Sequence, residues 1–232
     1  HKPKFWDYVT AWFYNSILSG PSTHIINSQT NTTLALGSPL ERLAAVGVDL
    51  PLSKLSGRPR ARFLNEVPAD AFGAARGVPE GFRQFAYVIK HGISLNAATK
   101  WEFRSQAFKG PAGVVINLPS RFLEAADQLM KSVNFRAALN AEAHRMASLE
   151  GLKGRAFEER VAELLSNPSV DLMEKADKIA EYRLFRQELG KTGQTLLDLR
   201  ESLNIGSFAP LRFLIPFLRS PINLAKFGLE RS

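Results

Sequence analysis

The chain has 232 residues, 45% of them hydrophobic, with no cysteine and a formal net charge of +8. That length supports one large domain or two small ones with a real core, and a mean hydropathy of −0.12 fits a folded chain better than a disordered or membrane-spanning one. Lack of cysteine excludes disulfides and thiolate chemistry, and no run of about 18 uncharged apolar residues predicts a transmembrane helix.

Residues 3–19 predict an amphipathic helix, with Trp6, Val9, Phe13 and Ile17 at helical spacing and a stop at Gly20-Pro21. The chain enters this helix almost at once, without an initiator Met or a signal-peptide pattern, so it reads as a piece of a longer polypeptide. Ser22 or Thr23 can cap a second helix to about Leu36, weakened by the polar run 27–33. A short third helix opens at Pro39 and closes at Gly47. Residues 48–65, with two prolines, a glycine and clustered arginines, predict a basic loop. Residues 69–92 predict a helix with Phe82, Phe85 and Ile89 on one face. Its Gly73, Gly77 and Gly81 form a strip without side chains, open to a packing groove or to a helix-pairing face.

Residues 92–113 predict a second irregular basic stretch carrying Trp101, Phe103 and Phe108. Beyond it come helices only. The first is long, with Pro119 in its first turn and Gly151 at its end. The next stops at Pro168. Another is capped by Ser169 and runs to Gly190, and a fourth covers about 192–204. At the end, Arg212, Arg219 and Lys226 stand seven residues apart, and Pro216 and Pro221 predict a kinked or broken helix with a segmented basic stripe. The fold class is all-α, with seven to eight amphipathic helices and an irregular basic middle section. Three sections follow: 1–47, 48–113 and 114–232, within one continuous assembly domain.

Catalytic signatures are missing. There is no glycine-rich phosphate loop, no G-x-S-x-G and no H-E-x-x-H. His1, His24, His91 and His144 are scattered, and Glu142 lies on a different helix face from His144. Carboxylate pairs such as Glu158-Glu159 and Glu124/Asp127 read as solvated ion-pair faces. The expectation is a protein that is not an enzyme and uses no cofactor or metal.

Positive charge is concentrated. Residues 50–109 carry ten Lys/Arg against four acids, a local balance of +6. Such a field favours anionic partners. Arg58, Arg60 and Arg62 are candidate anion or DNA contacts, with Trp101 and Phe103 as stacking aromatics, and Arg212 and Lys226 are further candidates near the end.

Three strings, "WFYNSILSGPSTHIIN", "VNFRAALNAEAHRMASLEGLKG" and "RFLIPFLRSPINLAKFGLERS", together resemble a family. It is the large polyvalent protein-associated domain of giant phage internal virion (ejection) proteins. The match covers most of the chain and is weakest over 48–113. The resemblance implies a structural protein packaged in the capsid, delivered with the genome and then placed in the host cell envelope. It implies other virion proteins and self-association as partners, with non-specific DNA and a host membrane surface as further ones. The family offers no active-site residue to carry over. Asn15, Gly20, Pro21, His24 and Asn27 are expected to shape the first helix junction, and Phe217, Arg219, Pro221 and Asn223 the last. A nucleic-acid-binding module and a membrane-active module are the alternative functions.

Overall fold

A computed structural model of the protein describes residues 3–92, 108, 110–186, 189–202, 210–214 and 219–229. Among the described residues there are helices and no strand, so the chain is all-α. In chain order these are α1 (Phe5–Leu18), α2 (Pro21–Ser56), α3 (Glu66–His91), α4 (Gly110–Ile116), α5 (Leu118–Leu149), α6 (Gly154–Ser166), α7 (Val170–Arg183), α8 (Lys191–Ser202), α9 (Pro210–Leu214) and α10 (Arg219–Leu229). Ten helices are described where seven to eight were expected. The short α4 and α9 are too brief to show a helical period.

Local signals place several ends. Ser169 accepts the Leu172 N–H at 3.2 Å through its hydroxyl oxygen, capping α7. Gly151 closes α5 at φ 74°, and the Leu152 N–H reaches back to the Ala147 carbonyl at 3.3 Å. Other boundaries differ from expectation. α2 runs unbroken through Pro39 and Pro51, so the expected break at Gly47 and the first half of the 48–65 loop, to Ser56, are helix. Pro51 costs the Gly47 carbonyl its helical donor on an exposed side, where water can replace it. α7 ends at Arg183 rather than Gly190, because Phe185 turns into the left-handed region at φ 55°.

The chain divides into two compact units whose segments interleave. One comprises His1–Ser28, Gln84–Gln128 and Leu184–Ser232; the other comprises Gln29–Arg83 and Leu129–Arg183. In the second unit, Ala138, Leu139, Ala143 and Ala147 of α5 pack with Val161 and Leu164 of α6 and Leu172 and Ala176 of α7. The glycine strip of α3 lies against α5 in the same unit. A methyl group added at Gly77 would stand 2.8 Å from the Val133 Cα, and one at Gly81 would stand 2.8 Å from the Leu129 carbonyl oxygen. The strip is therefore a packing groove that lets two backbones approach.

The first unit has a different character. α1 buries Thr10, Ala11, Tyr14, Asn15 and Leu18, a face rotated from the one its most apolar residues suggest; Trp12 and Ile17 are exposed. The Phe13 ring meets the Phe213 ring of α9 with centroids 4.7 Å apart. Phe122 receives the His24 and Phe85 rings edge-on, at 5.1 and 5.5 Å.

Candidate functional site

The most unusual element is α2, within the second unit. Its buried side chains there are Asn31, Ser38, Arg42, Val46, Asp49 and Ser53, and only one of these is apolar. Its outward side carries Leu36, Leu40, Leu43, Val48, Leu50, Leu52 and Leu55, with Leu36 72%, Leu40 69% and Leu55 85% exposed. Three- and four-residue steps put Leu36, Leu40, Leu43 and Leu50 on one line of the helix. The helix is amphipathic, but inside out.

What holds its polar side inward is a buried charge cluster shared with α3, α5 and α7. The Arg42 guanidinium donates through Nε to Asp70 Oδ1 at 2.8 Å and through Nη1 to Glu66 Oε2 at 3.1 Å. Arg183 Nη2 donates to the same Asp70 oxygen at 2.9 Å, and the Ser38 hydroxyl donates to Asp70 Oδ2. Glu142 faces Arg42 at 3.8 Å, Arg145 at 3.4 Å and Lys175 at 2.6 Å. Asp70, Glu66 and Glu142 are almost fully buried.

Environment separates these carboxyl groups. Burial pushes Asp70 up, but Arg183, Arg42 and the Ser38 hydroxyl outweigh it and hold the group below its ordinary 3.8. Burial likewise opposes ionisation of Glu142, and Lys175, Arg145 and Arg42 outweigh it. Glu66 ends on the other side of the balance. Burial raises it above 4.5, because the Phe63 N–H and the Arg42, Arg62 and Arg145 guanidiniums compensate only in part. Both oxygens of Asp70 accept hydrogen bonds, and Glu66 and Glu142 are engaged by cations. The cluster fixes helices to one another.

The basic run after α2 is tied down in the same manner. Asp49 Oδ2 accepts the Ala61 and Arg62 N–H groups at 2.9 and 3.0 Å, and Asp49 Oδ1 takes Arg58 Nη2 at 2.8 Å. The Ala61 bond above all, with Arg62, Arg58 and Arg60 against the opposing effect of burial, holds Asp49 below 3.8. Arg60 lies over the Phe63 ring at 5.3 Å, and Arg62 stands 3.8 Å from Glu66. The three arginines thus have acidic or aromatic neighbours within the protein, a pairing their run of prolines and arginines does not disclose.

The junction residues fall as follows. Asn15 is buried; its Nδ2 donates to the Ala11 carbonyl at 2.9 Å and to Asn117 Oδ1 at 3.3 Å, between α4 and α5. Gly20 separates α1 from α2, Pro21 is the first residue of α2, and His24 packs on Phe122. Asn27 lies in α2, with its side chain outside the described set. Asn223 of α10 is buried and donates to the Phe185 carbonyl at 2.8 Å, holding the residue with the left-handed backbone. Pro221 is exposed in the first turn of α10, and Arg219 begins that helix. Phe217, with Trp101 and Phe103, lies outside the described residues. Arg212 and Lys226 are half-buried on two separate helices, α9 and α10.

One acidic residue changes its character. Asp127, expected on a solvated face, is buried with its Oδ2 3.1 Å from Arg186 Nη1. α5 packs on several sides, so helical position alone did not expose it. Among the described residues no group of three His, Asp or Glu side chains could hold a metal ion. No family model, curated protein or solved structure matches this chain.

Proposed function

We propose that this chain is a non-catalytic structural module of a bacteriophage internal virion protein, acting in assembly of the DNA-ejection apparatus. It is packaged in the capsid and travels with the genome to the host envelope. Other virion proteins and further copies of the chain are its partners. The observation that carries the reading is the meeting of Phe13 and Phe213 at 4.7 Å. The first and last strings that resemble the phage family lie some two hundred residues apart in sequence, yet share one compact unit. Their place in one compact unit is what parts of a single module would show. A scaffold locked by buried charge and close glycine packing suits an assembly role better than one needing a mobile site.

Mass spectrometry of nuclease-treated virions tests this. Peptides of the chain are expected in full particles and are lost from particles that have ejected their DNA. Absence from full particles removes the proposal. A dedicated nucleic-acid module is the weaker reading, since Arg58 and Arg62 have acidic neighbours and Arg60 has an aromatic one.

A further inference from the structure

We infer that α10 is a strap that holds the turn Leu184–Phe185–Arg186 against its own preference for helix, and that the turn becomes helical when α10 undocks. Three observations carry this. First, the sequence here is that of a helix. Leu172, Ala176, Ala180 and Leu184 recur every four residues, and Leu184 to Leu189 holds no glycine, proline, asparagine or aspartate before Gly190. The chain nevertheless leaves α7 at Arg183, and Phe185 stands at φ 55°. Among the described residues it alone has a left-handed φ without being glycine. A bulky side chain is strained there, and nothing in the local sequence demands the turn.

Second, one side chain of α10 stands in for the helical hydrogen bond. In a continued helix the Phe185 carbonyl would accept the Leu189 N–H. Here it accepts Asn223 Nδ2 at 2.8 Å, from a residue only 1% exposed. α10 also packs closely on the start of α8, where a methyl group added at Gly193 would stand 3.3 Å from Ile222 Cγ2. Third, the turn buries Arg186. Its guanidinium stands 3.1 Å from Asp127, yet Nε, Nη1 and Nη2 have no acceptor in hydrogen-bond geometry. Burying donors in this way costs stability, in addition to the strained backbone of Phe185. One segment with two arrangements, and a side chain from another helix deciding between them, is a two-state element. The coupling is reciprocal: what favours the left-handed turn tightens α10, and what draws α10 away releases the turn.

The inference concerns the chain's own conformation and stands apart from the virion reading. Paired spin labels test it in the 232-residue chain, which has no cysteine of its own. Glu174→Cys and Lys191→Cys place the labels at exposed positions of α7 and α8. In a continuous helix those two backbone positions would lie about 25 Å apart. Asn223→Ala should raise the population at that distance about tenfold, the effect of losing one buried hydrogen bond. Adding Phe185→Gly should remove the gain, because glycine takes the left-handed turn at little cost and weakens a helix. A distance distribution that Asn223→Ala leaves unchanged overturns the proposal, as does a new population that Phe185→Gly leaves in place. Should Asn223→Ala lose its helical circular dichroism, hydrogen exchange of Phe185→Gly alone decides. Its α10 amides should exchange severalfold more slowly than the parent's, through the reciprocal coupling. Equal or faster exchange overturns the proposal.

Discussion

Asp70 is the residue on which the second unit turns. It joins α3 to α2 through Arg42 and Ser38, and to α7 through Arg183. Replacing a buried pair by apolar groups can be neutral, but removing one partner leaves uncompensated charge. Asp70→Asn leaves two guanidiniums short of a counter-charge, and a loss of about 3–5 kcal/mol is expected in urea unfolding. A loss below about 1 kcal/mol would mean that water already reaches the cluster. The carboxyl groups also set a pH profile. Asp70 and Glu142 have lowered folded values, so the unfolded chain takes up their protons first. Their stabilisation is complete above the ordinary 3.8 and 4.5 and disappears as pH falls through the folded values. Glu66 has the opposite sign. Its raised value means that the folded chain takes up the proton first, so its ionisation costs stability near neutrality. The wild type should therefore gain stability relative to Glu66→Gln as pH falls through the raised folded value toward the ordinary 4.5, and both should lose it as pH falls further through the lowered values of Asp70 and Glu142. Melting curves from neutral pH downward check this, and parallel profiles of the two proteins all the way to 4.5 would refute it.

At the scale of elements, the close approach of α3 to α5 is the sharpest constraint. Gly77→Ala gains helix propensity of about 1 kcal/mol, but its methyl must push against the Val133 backbone. Overpacking of that kind costs about 1–3 kcal/mol, so a net loss is expected in thermal melting, larger for Gly77→Leu. Gly47→Ala is the control: nothing lies near its position, so it should be neutral or stabilising. If both substitutions act alike, the glycine strip is not a contact. Much at this scale is legible in the sequence. Ser169 and Gly151 announce their helix ends, and the strip at 73, 77 and 81 announces a close neighbour. The run of α2 through Pro39 and Pro51 is not legible. A proline lowers the local preference for helix, and only packing along the rest of α2 outweighs that cost.

For the molecule as a whole, the charge of +8 remains a statement about partners rather than about fold. Duplex DNA should be retained in a gel shift at low salt and released as salt rises, with a log–log slope of about −0.9 per phosphate contacted. No retardation at low salt would remove DNA from the partners. The sequence by itself determined the class: all helix, without thiol chemistry and without a recognisable catalytic motif, with most helices placed near their true positions. Periodicity and capping are local, so they survive without knowledge of the neighbours. Tertiary structure alone decided which way α2 faces. Helical period shows that Ser38, Arg42 and Asp49 share one side and that Leu36, Leu40 and Leu43 share another. It carries no information on which side meets the protein. That choice was made by Glu66, Asp70, Glu142 and Arg183 on three other helices, whose charges draw the polar side of α2 inward and leave its leucines outside.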